Sequence, residues 1–342
     1  MPRSPAPLDP EVLLSPEWCS EMLGVPVVAV ERVEEQVTIA AKVRFRVTYA
    51  DGAADGRSDA FCVKGYFAPE SAGFVDLGQL EVHFYETLAP ALGLEVPECV
   101  YAAIDPETGH GLVVMRDLVA AGCRFLTPLS PYSVDQTAQT LAQLARLHHG
   151  RPEEIAGTVD WLAPRLGNYL QYVPEARLQE LLDDGRSASF APEIADARRL
   201  RTAFATVAER AAARPEHVIH GDSHAGNLYL TPDGRPGLVD WQVIQLGPWS
   251  LDVAYHIGAV LDPADREHSE ADLVREYLDA RRALGDDVPD FATAWDDYRD
   301  ALVYGLYMWA ITQRVLRPVL EEHVARLGRA VEFHDSLARL GA

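Results

Sequence analysis

The spacing of hydrophobic and polar residues changes about one third of the way along the chain. Up to residue 117, apolar and polar residues alternate in short runs, as in V-R-F-R-V-T-Y from residue 43, and such alternation is typical of half-buried β-strands. We expect strands at residues 37–49, 61–66, 99–104 and 111–115, and one helix at 77–88. From residue 118 onward, apolar residues recur every three or four positions, which predicts helices, the longest pattern covering residues 292–340. The predicted fold class is therefore α+β, with the sheet first and a mainly helical part after it.

Polar residues cluster around a predicted β-hairpin. The apolar runs L-Y-L at 228–230 and G-L-V at 237–239 are joined by T-P-D-G-R-P, whose Asp-Gly pair favours a hairpin turn. Such a hairpin would bring Asn227 alongside Asp240, and an amide oxygen with a carboxylate is a ligand pair that suits Mg²⁺. Asp222, in the loop ahead of them, would accept the proton of an attacking hydroxyl.

The spacing of these residues resembles that of known kinases. Asp222 and Asn227 are five residues apart, as in the H-R-D-L-x-x-x-N loop of protein kinases, and Asp240 follows where a kinase has its metal-binding Asp. H-G-D-S-H-A-G-N-L-Y-L, followed by G-L-V-D-W-Q-V-I-Q-L-G-P-W-S-L-D-V-A-Y, resembles the signature of the aminoglycoside-phosphotransferase and choline-kinase group. Within that group, the ecdysteroid-kinase-like small-molecule kinases are the most similar branch.

This resemblance implies a two-lobed, protein-kinase-like fold. A small, nucleotide-binding N-lobe with an antiparallel sheet and one helix would cover residues 1–117, with a disordered tail at 1–10. A larger, mainly helical C-lobe at 118–342 would carry the catalytic loop and the acceptor-binding helices. Implied cofactors are ATP, with GTP not distinguished from it, and Mg²⁺.

The resemblance also implies a role for each residue of the motif. Asp222 would be the catalytic base, and Asn227 and Asp240 the magnesium ligands. His220 would be a structural partner of the catalytic loop, and Asp252 would brace that loop from the start of the next helix. Asp252 could equally be a first-turn carboxylate that interacts with the helix dipole.

The N-terminal part contains a matching pair of charged residues. Lys64 lies on a predicted strand and Glu81 on the predicted helix, which is the order of elements in a kinase N-lobe, where such a lysine contacts the α- and β-phosphates and pairs with the glutamate. The run E-V-H-F-Y from Glu81 is similar to the E-x-x-F-Y run of the resembled family. The simpler alternative is a solvated strand-edge lysine and a solvated helix-face glutamate.

One kinase feature is missing from the sequence. The stretch 31–41, E-R-V-E-E-Q-V-T-I-A-A, stands where a kinase has its Gly-rich loop, and it lacks glycine. Small residues there would let backbone amides approach a nucleotide less closely than glycine does. A catalytically silent nucleotide-binding pseudokinase is therefore one alternative function. Another is a metal-dependent hydrolase in which His220, Asp222 and His224 bind a transition metal.

The net charge and the lengths of particular segments indicate which binding partners to expect. The formal net charge of −22 disfavours nucleic-acid and anionic-membrane partners and permits a cationic acceptor. Residues 241–251 are too few for an activation segment that would support a peptide, which favours a small-molecule hydroxyl acceptor. No apolar run reaches the roughly 18 residues of a membrane span, and the start M-P-R-S-P-A-P lacks a signal-peptide core, so we expect a cytoplasmic protein. The acceptor's identity and the oligomeric state stay open.

Overall fold

The computed structural model describes Pro2 and residues 4–149, 161–214 and 217–342. The helices are α1 (Pro10–Leu13), α2 (Pro16–Leu23), α3 (Val75–His83), α4 (Ala89–Leu92), α5 (Val134–His149), α6 (Leu166–Tyr172), α7 (Glu175–Leu181), α8 (Ala197–Ala213), α9 (Ser250–Val260), α10 (Pro263–Ala283), α11 (Phe291–Ile311), α12 (Arg317–Phe333) and α13 (Ser336–Arg339). The strands are β1 (Val27–Val37), β2 (Ala41–Tyr49), β3 (Ala60–Gly65), β4 (Cys99–Ile104), β5 (Gly111–Arg116), β6 (Arg124–Phe125), β7 (His217–Ile219), β8 (Leu228–Leu230), β9 (Pro236–Leu238) and β10 (Gln245–Gly247). Short 3-10 helices cover Pro69–Phe74 and Ala225–Asn227, and π-helical turns cover Phe84–Leu88 and Leu182–Arg186.

The chain forms two compact units. The first, called here the N-terminal unit, comprises Met1–Arg124, Thr231–Asp233 and Val239–Val243. The second, the C-terminal unit, comprises Phe125–Leu230, Gly234–Leu238 and Ile244–Ala342. The predicted functional division at residues 117 and 118 stays a prediction.

The N-terminal unit is built on a five-stranded antiparallel sheet. The strand order is β1-β2-β3-β5-β4, and alternate residues of β2, β3 and β5 bury their side chains together with α2 in one apolar core. Phe45, Val63, Val114 and Trp18 belong to this core. The antiparallel sheet predicted for this part of the chain is confirmed. Apolar residues alternate in its central strands because one face of the sheet is covered.

The first strand differs from the prediction. The strand expected at 37–49 begins at Ala41. Of the stretch 31–41, which stands where a kinase has its Gly-rich loop, residues 31–37 belong to β1, which pairs with β2 in a register that ends at Val37 and Ala41. Nearly all of β1 is exposed on both faces, so it lacks the apolar alternation that would have revealed it. The loop proper is only Thr38–Ala40.

The chain start packs against the N-terminal unit from Ser4. Ala6 is buried, the indole Nε1 of Trp18 donates to the Ser4 carbonyl at 3.0 Å, and the hydroxyl of Tyr101 donates to the Pro5 carbonyl at 2.9 Å. From Ser4 onward, the segment predicted as a disordered tail at residues 1–10 is therefore packed in the structure.

The C-terminal unit contains α5–α13 and both strands of the predicted hairpin. Leu228 pairs with Leu238 in the antiparallel register of β8 and β9. The long helical pattern at 292–340 was predicted as one stretch, but it is divided between α11, α12 and α13. The chain leaves the helical conformation at Thr312, and α12 then restarts with a proline in its first turn, a position that proline favours but that interrupts a preceding helix.

No helix among the described residues is long and apolar enough to cross a membrane.

Buried histidines predict loss of stability in acid. Burial lowers the pKa of five of them, His217 to about 3 and His256 to about 4; the others are His110, His148 and His323. Because the native state holds these rings neutral while the unfolded chain takes up protons, stability present above the unfolded value of about 6.5 is lost as the pH falls. We expect the unfolding free energy, measured by urea denaturation, to fall between about pH 6.5 and 4, by up to about 1.4 kcal/mol per pH unit for each histidine.

A pair of variants checks this. His256→Asn should flatten the dependence of the unfolding free energy on pH, whereas His268→Asn, which changes an exposed ring, should leave the slope as in the wild type. Equal slopes for all three proteins would show that buried histidines do not cause the effect.

Candidate active site

In the N-terminal unit, Lys64 of β3 lies between two carboxylates. Its Nζ is 2.6 Å from Glu81 Oε2 and 2.6 Å from Asp240 Oδ1. The side chain of Lys64 is 2% exposed and that of Glu81 is 3% exposed, so neither is the solvated surface residue that the simpler alternative describes. Burial alone lowers the pKa of Lys64, but the charges of Asp240 and Glu81 outweigh it and hold that pKa above its ordinary value. The ammonium group therefore stays charged throughout the physiological range.

The E-x-x-F-Y and V-D-W runs of the sequence meet at this cluster. Glu81 and Phe84 lie three residues apart and so share one side of the helix. The backbone N–H of Trp241 donates to Glu81 Oε1 at 3.3 Å, and the Trp241 ring stacks on Phe84 with centroids 3.7 Å apart. These two contacts fix the backbone beside Asp240.

Asp240 has an unusual backbone conformation. Its φ is +70°, in the left-handed region that residues other than glycine seldom adopt. Such conformations cost on the order of 1–3 kcal/mol and are found mainly where the surroundings hold a functional side chain in place. The contacts of Trp241 and the pairing with Lys64 supply that support here.

A second lysine joins the cluster, and it was not recognised in the sequence. Lys42 of β2 lies opposite Lys64 in the β2–β3 register. Its Nζ is 3.4 Å from Asp240 Oδ2, and its side chain is 39% exposed. The sequence signal was only that Lys42 follows the glycine-poor loop directly.

In the C-terminal unit, Asp252 holds the loop that carries Asp222. The backbone N–H groups of His220 and Gly221 donate to the two carboxylate oxygens of Asp252 at 2.7 and 2.9 Å. Gly221 has a φ of +78°, which explains why a glycine stands between His220 and Asp222. Asp252, in the first turn of α9, is fully buried. The predicted bracing contact is therefore present in the geometry.

Asp252 is kept ionised by its donors. Burial alone would raise its pKa, but the hydrogen bonds from His148 and the Gly221 amide lower it. His148 Nε2 lies 3.1 Å from the carboxylate and its Nδ1 lies 2.7 Å from the hydroxyl of Tyr277. Because a carboxylate only accepts, Nε2 is the protonated nitrogen of a neutral His148 ring.

Asp222 is held through both carboxylate oxygens. The hydroxyl of Tyr255 donates to Oδ1 at 3.0 Å, and the amide nitrogen of Asn227 donates to Oδ2 at 3.0 Å and to the Asp222 carbonyl at 2.8 Å. Burial and the charge of Asp222 keep the pKa of Tyr255 well above its usual value, so this phenol stays a donor. Asp222 is therefore fixed in orientation, with its carboxylate available as a proton acceptor.

The residues of the alternative hydrolase site do not form a metal-binding group. His220 Nδ1 accepts the backbone N–H of Asp222 at 3.2 Å, and His224 Nδ1 accepts that of Gly226 at 2.9 Å. Within the described parts of the chain, no three His, Cys, Asp or Glu side chains converge as a metal ion requires.

The phosphotransferase enzyme family matches residues 38–287 of the chain. The chain belongs to this family. The match covers both the cluster around Lys64 and the loop of Asp222, and it confirms the resemblance seen in the sequence. The search of curated proteins found no match to this chain.

Solved structures show the same kinase-like fold. A choline kinase from Cryptosporidium parvum Iowa II has a TM-score of 0.56 at 12% identity, with 97% of each chain covered. A spectinomycin phosphotransferase in complex with ADP and spectinomycin has a TM-score of 0.52 at 13% identity, covering 96% of this chain and 98% of that one. An ethanolamine kinase from Plasmodium vivax has a TM-score of 0.50 at 12% identity, covering 90% of this chain and 83% of that one.

The predicted site residues of the phosphotransferase fall into two groups. Lys64, Glu81 and Asp240 meet in the N-terminal unit. The other four, His220, Asp222, Asn227 and Asp252, are joined by hydrogen bonds in the C-terminal unit.

Sequence reasoning missed several residues that contact these groups. Besides Lys42, they include Tyr255 and His148, neither of which the sequence pattern singles out. The one sequence signal for Tyr255 is its position three residues after Asp252, on the same side of α9.

Proposed function

We propose that this phosphotransferase moves the γ-phosphoryl group of ATP to a hydroxyl of a small organic molecule. The observation that carries the proposal is the Asp222 carboxylate, held through both oxygens by Tyr255 and Asn227. A base with a fixed orientation suits the removal of a hydroxyl proton as the oxygen attacks phosphorus. In this reaction the acceptor oxygen bonds to the γ-phosphorus, the bond to the β–γ bridging oxygen breaks, and ADP leaves with that oxygen. The hydroxyl proton passes to Asp222.

The N-terminal unit would supply the nucleotide-binding charges. Lys64, positioned by Glu81, would contact the phosphates, because a buried ammonium held by carboxylates is suited to stabilise phosphate charge. Asn227 and Asp240 would hold Mg²⁺, and both offer the hard oxygen donors that this ion prefers. Bound there, Mg²⁺ would neutralise phosphate charge.

We further propose that the acceptor is a cationic alcohol. The structural neighbours include a choline kinase, an ethanolamine kinase and a phosphotransferase bound to spectinomycin, and choline and ethanolamine are both cationic alcohols. The net charge of −22 favours the approach of such molecules.

The test is nucleotide consumption across a panel of hydroxyl compounds. ATP and GTP, each with Mg²⁺, are incubated with the protein and with aminocyclitols, amino alcohols, neutral sugars and steroid alcohols, and phosphorylated products are identified by mass spectrometry. The proposal expects an acceptor-dependent phosphorylated product from the cationic members. Nucleotide binding without γ-phosphate consumption on the whole panel would instead support the pseudokinase.

Tyr255→Phe tests how Asp222 is positioned. The variant loses one hydrogen bond to a charged group, which is worth about 1.5–3 kcal/mol, and we expect turnover to fall by about 10- to 100-fold with nucleotide affinity unchanged. Tyr298→Phe is the matched control, because Tyr298 is also buried and donates to a carboxylate, Glu270 Oε2, at 2.8 Å. The control should alter stability alone. An equal loss of turnover in both variants would contradict a specific role for Tyr255.

A further inference from the structure

Lys42 and Lys64 form a like-charged pair across two strands. They are directly opposed in the β2–β3 register, an arrangement that is destabilising unless opposite charge lies between them. Asp240 provides that charge, with Oδ1 2.6 Å from Lys64 Nζ and Oδ2 3.4 Å from Lys42 Nζ. The two lysines therefore present two ammonium groups side by side at one carboxylate.

The two lysines differ in what else holds them. Lys64 is buried and keeps a second carboxylate partner, Glu81. Lys42 is 39% exposed, and Asp240 is its carboxylate partner among the residues that the structure describes. Lys42 can therefore turn toward an incoming anion at small cost, because partly exposed ion pairs contribute under about 1 kcal/mol.

The loop just before Lys42 is short and lacks glycine. It is only three residues long, Thr38–Ala40. The Thr38 N–H donates to the Ala40 carbonyl at 2.9 Å, and Ser71 Oγ donates to the Ile39 carbonyl at 2.6 Å, so the turn is tied down. A glycine-rich loop would present several free amides to phosphate, whereas in this turn the Thr38 amide is already bonded to the Ala40 carbonyl.

We propose that Lys42 is a second phosphate-binding lysine, which contacts the β- and γ-phosphates of a nucleoside triphosphate beside Lys64. In this proposal, the Lys42 ammonium at the start of β2 binds phosphate oxygens that the backbone amides of a glycine-rich loop would otherwise bind. This inference rests on the proposed function, because it requires that a nucleotide binds the N-terminal unit.

The experiment measures binding of ATP, ADP and AMP by titration calorimetry, with and without Mg²⁺, to the full chain. The variants are Lys42→Met, Lys42→Arg and the matched control Arg46→Met. Arg46 lies on the same face of β2 as Lys42 and pairs with Asp59 at 2.7 Å. Thermal unfolding confirms that each variant is folded.

Lys42→Met should weaken ATP binding about tenfold, as expected for one charge-assisted hydrogen bond. The affinity for ADP should fall less than that for ATP, and the affinity for AMP should hardly change, because the proposed contacts are made to the β- and γ-phosphates. Lys42→Arg should recover most of the affinity, and Arg46→Met should match the wild type.

Two failures can be told apart. Wild-type protein that binds none of the nucleotides overturns the proposed function and this inference with it. Wild-type protein that binds ATP, with Lys42→Met binding it equally well or losing the same factor for AMP as for ATP, overturns the role of Lys42 alone.

Discussion

Replacing Asp222 with asparagine is expected to reduce turnover by about 10²–10⁴-fold while nucleotide affinity stays close to that of the wild type. Proton transfer by a positioned side chain contributes a factor of that size, and asparagine keeps the volume of the residue but cannot accept the proton. Nucleotide affinity is retained because the proposed phosphate contacts are made by residues of the N-terminal unit. Steady-state turnover and calorimetric binding, measured on the same preparation, check both parts.

Asp272→Asn is the control for this substitution. Asp272 is 77% exposed on α10 and pairs with Arg275 at 2.8 Å. The substitution therefore removes one carboxylate of the C-terminal unit at a position remote from the catalytic loop in sequence. Its turnover should equal that of the wild type. Unchanged turnover in Asp222→Asn would contradict the assignment of Asp222 as the base.

Replacing Lys64 with methionine is expected to destabilise the protein by about 3–5 kcal/mol, the cost of leaving a buried charge without its partner. Glu81 is almost fully buried and Asp240 is 14% exposed, so neither carboxylate gains enough water to replace the lost ammonium. The same variant should lose nucleotide binding, because the charge proposed to contact the phosphates is gone. Urea denaturation at pH 7 and calorimetry measure the two effects.

Lys42→Met provides the contrast. It removes a lysine from the same carboxylate, but that side chain is half-exposed, and the loss of stability should stay under about 1 kcal/mol. A loss of stability in Lys64→Met no larger than that in Lys42→Met would show that the pairing of Lys64 with Glu81 and Asp240 does not stabilise the unit.

The parts of the site that could be predicted are those encoded by local spacing. Asp222 and Asn227 are five residues apart, and Asn227 and Asp240 flank a hairpin whose strands and turn are visible as apolar runs around Asp-Gly. The central strands of the N-terminal sheet were visible because one of their faces is covered. In contrast, β1 is exposed on both faces, and its pairing with β2 follows from backbone hydrogen bonds that leave no mark on the sequence pattern.

The parts that could not be predicted depend on contacts between distant positions. Tyr255 is 33 residues from Asp222, His148 is 104 residues from Asp252, and Lys42 is 198 residues from Asp240. A tyrosine or histidine on an apolar helix face has the same local pattern whether it packs in the core or donates to a carboxylate. The packing of the folded units is what distinguishes the two cases.

The most direct test of the central claim follows a label on the γ-phosphate of ATP into the acceptor, free phosphate and nucleotide pools. With wild-type protein, Mg²⁺ and the cationic alcohols, we expect the label to appear as a phosphate ester on the acceptor hydroxyl, with one ADP formed for each ester. Label that appears only as inorganic phosphate, at the same rate with and without acceptor, would contradict phosphoryl transfer to a small-molecule hydroxyl.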